Sequence, residues 1–205
     1  MMKLVGITQR IDEFIDRDET RDSLDQRLNS FVQAAGYIPV PIPNFSFEHT
    51  HREGGKENHF SQWLNKFLPD AFILSGGSNI GENANRDMTE NQILTYAEKR
   101  SLPMLGICRG MLMMAQRAGI ALHKIENHVA TKHKIHGEIN ELVNSFHNLA
   151  IDSCPDEFSV LAQSLDGEIE AIRHRVLKWE GWMWHPERMV EFSKVDIART
   201  QALFG

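Results

Sequence analysis

The chain of 205 residues lacks most of the features that mark specialised classes of protein. It has two cysteines, too few for a disulfide framework, and a reducing compartment would keep both thiols free. No stretch approaches the run of about 18 apolar residues that a membrane-spanning helix needs. The apolar run at the N-terminus is too short for a signal peptide. We therefore expect a cytoplasmic protein that does not bind a membrane.

An excess of positive charge is also absent. The net charge is -6, which argues against non-specific binding to nucleic acid. Apolar residues make up 41% and charged residues 24% of the chain, as in ordinary globular proteins. No linker, repeat or low-complexity segment divides it, so a single domain over residues 1–205 is expected. The sequence does not determine the oligomeric state, and a homodimer stays open.

Strands alternate with helices through the first half of the chain. Strands are predicted at 3–8, 37–42, 71–74 and 103–107, helices at 22–35, 57–67, 85–100 and 109–118, and a polar loop at 44–56. This alternation predicts an α/β fold with a mainly parallel central sheet flanked by helices. Short β-like runs then predict antiparallel additions in the C-terminal half, at 142–143, 158–161, 169–173 and 176–184. A last helix is predicted at 193–203.

Residues 104–110, Met-Leu-Gly-Ile-Cys-Arg-Gly, form the most informative motif. Cys108 lies between Gly106 and Gly110, where a predicted strand meets a predicted helix. This is the pattern of a nucleophile elbow, a tight turn that lifts one reactive side chain above the end of a sheet. A side chain at either glycine would crowd the strand against the helix. The alternative is a buried structural cysteine in a β-turn-α connection.

A cysteine nucleophile needs a base, and the base needs a group that orients it. His185 ends an apolar strand-like run, and Glu187 follows across Pro186. The fixed φ of proline limits how far the two side chains splay, so the carboxylate could accept a hydrogen bond from the imidazole. A surface His-Pro-Glu turn is the alternative for this segment by itself.

An oxyanion site is the third component of such chemistry. Gly76 and Gly77 follow a predicted buried strand, and two glycines let the backbone approach a ligand closely. Backbone N–H groups there, together with that of Arg109, could stabilise an oxyanion. An ordinary tight turn is the alternative for the two glycines. All three segments follow predicted strands, and ligands bind at such strand ends in open α/β sheets.

Taken together, these motifs resemble the class I glutamine amidotransferase superfamily. Within it they resemble the stand-alone γ-glutamyl hydrolase branch (peptidase C26 type), which includes γ-glutamyl-γ-aminobutyrate hydrolases. The resemblance covers most of the chain, from the first strand to Glu187. It implies that Cys108 is the nucleophile, His185 the base and Glu187 its orienting carboxylate. It further implies an oxyanion hole built from the Gly76-Gly77 turn and the N–H of Arg109.

The resemblance also bears on residues outside these motifs. Ser145 and His147 lie in a segment that holds the glutamyl group in the family, although surface positions on a strand are the alternative. Arg86, Asp87 and Glu90 are expected to have a mainly structural role, as a pairing or at the start of a helix. Two departures from the family pattern remove polar groups, because Leu112 and Leu149 stand where glutamines are common.

The resemblance implies hydrolysis of a γ-glutamyl amide bond, which releases L-glutamate and an amine or amidate without a metal or other cofactor. The short chain and its departures favour a γ-glutamyl nucleotide amidate, of a kind used in surface polysaccharide biosynthesis. Arg109 is more typical of the hydrolases than of ammonia-delivering subunits. The alternatives are a glutaminase subunit that supplies ammonia to a separate synthetase, and a non-catalytic ligand-binding module.

His133 and His136 are the remaining candidates for metal ligands. Their spacing of three residues suits a metal site on a helix, but no nearby carboxylate or cysteine completes the set. Lys132 and Lys134 flank His133, so a solvated basic patch is predicted instead. The expectation is therefore that the protein has no metal site.

Overall fold

The computed structural model describes residues 2–45 and 59–205. Five α-helices lie in this part of the chain: α1 (Gln26–Ala34), α2 (His59–Phe67), α3 (Ala84–Arg100), α4 (Arg109–Arg117) and α5 (Lys194–Phe204). Its first strands are β1 (Leu4–Thr8), β2 (Arg10–Phe14), β3 (Glu19–Ser23), β4 (Ile38–Ile42), β5 (Ala71–Leu74) and β6 (Met104–Ile107). The others are β7 (Leu122–Lys124), β8 (Val129–Gly137), β9 (Leu142–Phe146), β10 (Leu149–Ile151), β11 (Phe158–Ser164), β12 (Ile169–His174) and β13 (Trp179–Trp182).

Nine of these strands form one sheet in the order β4-β1-β5-β6-β13-β12-β11-β8-β9. The first five strands in this order are parallel to their neighbours. Antiparallel pairing begins at β12 and continues to β9. The predicted α/β fold, with a parallel centre and antiparallel additions from the C-terminal half, is confirmed.

Helices cover both faces of the sheet, as the contacts of β13 show. Gly181 faces α4, since a Cβ added there would lie 2.7 Å from Cγ of Met111. The preceding residue, Glu180, accepts hydrogen bonds from Arg199 of α5. Because successive residues of a strand point to opposite faces, α4 and α5 lie on opposite sides of the sheet. Apolar side chains are therefore buried on both sides of the sheet.

The long strand β8 changes partner along its length. Its first part pairs with β9, and its last three residues, Ile135 to Gly137, pair with β11. Ala130 has a left-handed φ of 54° where the register with β9 shifts. This bulge bends the strand. The β8–β9 hairpin can therefore leave the main sheet and reach residues at the ends of the central strands.

Five strands, namely β2, β3, β7, β8 and β10, were not predicted from the sequence. The hairpin of β2 and β3 is rich in charged residues and largely exposed, so it has no alternation of apolar and polar residues to reveal it. The helix predicted from residue 22 begins at Gln26, because Ser23 still belongs to β3 and Asp25 caps the helix by accepting from the Arg27 N–H.

Other parts of the prediction fall partly outside the described residues. Most of the polar loop predicted at 44–56 lies there, as do the first two residues of the helix predicted at 57–67. Over the ranges that are described, no helix is both long enough and apolar enough to cross a bilayer.

Candidate active site

Cys108 lies in a strained turn between β6 and α4. Its φ of 49° and ψ of -105° fall outside the regions that residues with a side chain normally occupy. Both flanking glycines are required by packing: a Cβ on Gly106 would lie 2.6 Å from the backbone carbon of Gly110, and one on Gly110 would overlap the carbonyl oxygen of Leu74. Both cysteines are free thiols. The turn thus has the geometry expected of a nucleophile elbow.

His185 and Glu187 form a buried pair beside this turn. Nδ1 of His185 and Oε1 of Glu187 lie 2.7 Å apart, and both side chains are buried. Burial lowers the pKa of His185, but hydrogen bonds with Cys108 and Glu187 outweigh it and raise this pKa from 6.5 to about 9. An imidazolium held between a sulfur atom and a carboxylate is therefore the favoured state at neutral pH.

Asn144 of β9 fixes the backbone of His185. Its side-chain amide donates to the His185 carbonyl oxygen at 2.7 Å, and its Oδ1 accepts from the His185 N–H at 2.9 Å. These two hydrogen bonds fix the position of the His185 backbone and thereby that of its buried imidazole. Sequence reasoning missed this residue because its partner lies 41 positions away. No local signal connects the two.

Gly76 and Gly77 follow β5 and pack directly against this pair. A Cβ on Gly76 would lie 2.5 Å from Cε1 of His185, and Gly77 has a φ of 145°. The Arg86 guanidinium donates to the carbonyl oxygens of Ser75 and Gly76, at 2.8 and 3.0 Å. The turn is thereby held in place next to the imidazole. Its role as an oxyanion site remains a prediction.

These residues meet because of the strand order. Gly76 follows β5, Cys108 follows β6 and His185 follows β13, and these three strands are parallel neighbours in the sheet. The carboxyl ends of neighbouring parallel strands lie at one edge, where open α/β sheets bind ligands. The structure therefore brings together the three segments that the sequence identified separately.

A cavity of about 310 Å³ lies against the nucleophile turn. Its lining includes Gly77, Cys108, Arg109, Leu112, Phe146, His147 and Leu149. The two leucines that depart from the family pattern therefore do face the space beside Cys108. A second cavity of about 240 Å³ holds His185 and Glu187, and Gly77 also lines it.

Arg109 belongs to a buried network of charges under the turn. Its guanidinium contacts the carboxylates of Glu90 and Asp87. Glu90 also accepts from Nε of Arg86 at 3.1 Å and from the Thr8 hydroxyl at 3.0 Å. The predicted structural pairing is confirmed for Arg86 and Glu90, whereas Asp87 pairs with Arg109 instead. These contacts commit the Arg109 side chain to carboxylates, and a role for its backbone N–H in an oxyanion hole remains a prediction.

Ser145 and His147, the predicted glutamyl-binding residues, both contact other side chains or backbone groups of the protein. The fully buried Ser145 donates its hydroxyl proton to the carbonyl oxygen of His128 at 2.6 Å. The imidazole of His147 lies beside those of His128 and His133, close to the carboxylate of Glu170. His147 also lines the cavity that contains Cys108. A role for either residue in binding the glutamyl group remains a prediction.

The expectation that no carboxylate completes a set with His133 is wrong. His133 lies on a strand, and its imidazole faces inward to within 3.2 Å of Glu170. His136, three residues along the same strand, is exposed, as are Lys132 and Lys134. Successive residues of a strand point to opposite faces, so one strand carries both the exposed basic residues and the inward-facing His133.

Comparison with known proteins agrees with this architecture. The profile of the family described as glutamine amidotransferase class-I matches residues 22–202. The chain belongs to this family. A solved structure of a putative GMP synthase subunit from Thermoplasma acidophilum has the same fold as this family member, with a TM-score of 0.70 at 19% identity, covering 100% of this chain and 93% of that one.

Curated relatives of this amidotransferase-family chain include a γ-glutamyl-CDP-amidate hydrolase from Campylobacter jejuni. It is 33% identical over 205 residues, which cover 95% of each chain. A glutamine-hydrolysing GMP synthase subunit from Methanothermobacter thermautotrophicus is 30% identical over 129 residues, or 58% of this chain and 66% of that protein. The names of both relatives indicate hydrolysis, and one of them is part of a synthase.

Proposed function

We propose that the protein is a cysteine hydrolase that cleaves the γ-glutamyl amide bond of a nucleotide amidate and releases L-glutamate. One observation carries the reaction type: Cys108, on its strained turn, lies beside the buried His185–Glu187 pair. The full-length similarity to a γ-glutamyl-CDP-amidate hydrolase supports the substrate class.

In the proposed first half-reaction, the Cys108 thiolate adds to the γ-carbonyl carbon of the substrate and a C–S bond forms. The N–H groups of Gly77 and Arg109, which line the same cavity, stabilise the oxyanion. Since Nδ1 of His185 is bonded to Glu187, Nε2 is the nitrogen that serves the nucleophile. As the C–N bond breaks, this nitrogen protonates the departing amidate.

In the second half-reaction, neutral His185 accepts a proton from water, and the resulting hydroxide attacks the thioester. The C–S bond breaks, glutamate leaves, and the thiolate and imidazolium are restored. Glu187 keeps the tautomer and orientation of the imidazole through both halves and stabilises its positive charge. His185 thus handles the protons of both chemical steps, and the γ-carboxyl proton of the released glutamate is lost to solvent.

Leu112 and Leu149 support a substrate other than free glutamine. Both line the cavity beside Cys108, where family members commonly carry glutamines that contact the glutamyl group. With two polar contacts replaced by apolar side chains, the remainder of the substrate has to supply binding energy. A nucleotide leaving group offers many more contacts than ammonia.

A glutaminase subunit that delivers ammonia to a synthetase is the second candidate, favoured by the partial similarity to the GMP synthase relative. Glutamate release should therefore be compared on γ-glutamyl-CDP-amidate, γ-glutamyl-aminobutyrate and glutamine. We expect the nucleotide amidate to give the highest kcat/KM. Turnover of glutamine alone would overturn the substrate class and favour the ammonia-delivering role.

The reaction type is tested with the two cysteines. Cys108→Ala should remove glutamate release while the protein stays folded, and Cys154→Ala, at the other free thiol, should leave it unchanged. Circular dichroism and gel filtration would establish that both variants are folded. Retained turnover in Cys108→Ala would overturn the proposed mechanism.

A further inference from the structure

Four side chains outside the proposed reaction form a compact cluster of metal-ligating groups. They are His128, His133, His147 and Glu170, and one ligand atom of each lies within 4.8 Å of all the others. They come from separate places: before β8, on β8, after β9 and on β12. Three of the four are buried, and His133 is 17% exposed.

The atoms that face one another in this cluster have no hydrogen-bond partners. Nδ1 of His128, Nε2 of His133 and Nε2 of His147 lie 3.3, 3.2 and 3.5 Å from a single oxygen, Oε1 of Glu170. None of these contacts has hydrogen-bond geometry, and both oxygens of the fully buried Glu170 are unpartnered. A buried carboxylate without hydrogen bonds is costly even beside three imidazoles, so such a group calls for a ligand.

The distances from Glu170 to the three imidazole nitrogens suit a tetrahedral metal ion. Nitrogen and oxygen ligands lie about 2.0–2.1 Å from zinc, which places two ligands of a tetrahedron about 3.3–3.4 Å apart. The three contacts to Glu170 have about this length. Direct hydrogen bonds between the same groups would point along the N–H directions, which these contacts do not.

In two of the histidines the nitrogen that faces away from the cluster has a hydrogen-bond acceptor, as is usual for histidines that bind metals. Nε2 of His128 lies 2.8 Å from a carboxylate oxygen of Asp166, and Nδ1 of His147 lies 3.1 Å from the carbonyl oxygen of Leu149. An acceptor on the far nitrogen fixes the tautomer and directs the lone pair of the near nitrogen at the metal. Both rings thus present a lone pair to the centre of the cluster.

We propose that these four side chains bind one Zn²⁺ in a closed, structural site. Three imidazoles and a carboxylate form a ligand set that zinc accepts, and four protein ligands leave no position for a reacting water. The ion would tie the β8–β9 hairpin to β12. Because His147 and Leu149 also line the cavity of Cys108, it would fix one wall of the active site. This proposal does not rest on the proposed function.

Metal content tests the proposal directly. The protein purified without an affinity tag that binds metal, and exchanged into buffer containing Zn²⁺ and then into metal-free buffer, should retain about one zinc per chain by plasma mass spectrometry. Glu170→Gln and His133→Ala should bind zinc at least about 100-fold more weakly. His136→Ala, at the exposed histidine of the same strand, should keep the full content.

A variant with another zinc ligand guards against simple misfolding. His133→Cys should regain zinc that His133→Ala has lost, which a merely structural role of His133 would not produce. Cobalt provides an optical measurement on the unmodified chain, since Co²⁺ in a tetrahedral site absorbs visible light. Failure of the wild-type protein to retain zinc, together with no cobalt spectrum on titration, would overturn the proposal. So would full zinc content in both Glu170→Gln and His133→Ala.

Discussion

At the scale of single residues, Glu187 acts together with Cys108 to keep His185 protonated. Replacing Glu187 by glutamine keeps the shape but removes the negative charge that helps to raise the pKa of the imidazole to about 9. We expect Glu187→Gln to lower this pKa towards 6.5 and to reduce kcat by about 10³–10⁴-fold. A titration of the His185 ring by NMR and a glutamate-release assay measure the two effects.

Glu191→Gln, at an exposed carboxylate of the same segment, is the matched control and should change neither quantity. An unchanged titration of His185 in Glu187→Gln would contradict the assigned pairing. A loss of activity of equal size in Glu191→Gln would show that the effect is not specific to the carboxylate at position 187.

His185 also makes the free energy of unfolding depend on pH. The folded-state pKa of His185, about 9, lies above its ordinary value of 6.5. The stabilisation it provides is fully present below pH 6.5 and is lost as the pH rises through about 9. The free energy of unfolding, measured with urea across this range, should fall with pH, and the fall should be smaller in Glu187→Gln. Parallel pH profiles for the two proteins would refute this.

Single residues also show how far the sequence alone reaches. Cys108, His185 and Glu187 lie in short local motifs, so their chemistry could be inferred from neighbours along the chain. Asn144 and Glu170 could not be found in this way, because their partners come from other strands. Without the register of β8, β9 and β12 nothing indicates that they meet.

At the scale of elements, the close approach of β5, β6 and α4 holds the nucleophile turn. Gly110→Ala should destabilise the protein by about 1–3 kcal/mol, since the new methyl group would overlap the Leu74 carbonyl. This sign is opposite to helix propensity, which favours alanine over glycine by about 1 kcal/mol. Urea unfolding measures the change.

Gln116→Ala, at an exposed position of the same helix, provides the comparison and should be nearly neutral. A stabilised Gly110→Ala variant would show that helix propensity outweighs the steric overlap, and that the elbow tolerates a side chain.

Elements also divide by how well the sequence predicted them. Strands β5 and β6 are fully buried, and their uninterrupted apolar runs were recognised within a residue of their bounds. Strand β8 was not, because the inward-facing side of its first part carries polar and histidine side chains rather than apolar ones. Exposed and inward-facing residues do alternate in this part of β8, but none of the inward-facing residues there is apolar.

At the scale of the whole molecule, one chain supplies every group of the proposed reaction. The segments after β5, β6 and β13 converge at a single sheet edge. Residues of the β8–β9 hairpin form part of the lining of the cavity beside Cys108. That the central strands are parallel was inferable from alternating strands and helices, but their order was not. The return of the outer hairpin towards the site was not inferable either, because it depends on the bulge at Ala130.

This arrangement predicts activity without a partner. The purified chain should release glutamate from γ-glutamyl-CDP-amidate with a specific activity that does not change on dilution. Rates measured over a wide range of protein concentration test this, with gel filtration of the same samples to follow the oligomeric state. A specific activity that falls on dilution would show that the site needs a second copy.

The contact between Asn144 and the His185 backbone constrains how chains of this type can change in length. Asn144 lies in the middle of β9, and inserting or deleting one residue before it within the strand would turn its side chain to the opposite face. Such a change would release His185 although it lies far from the chemistry in sequence. Tolerated changes in length should therefore lie outside β9, where they leave the pairing of Asn144 intact.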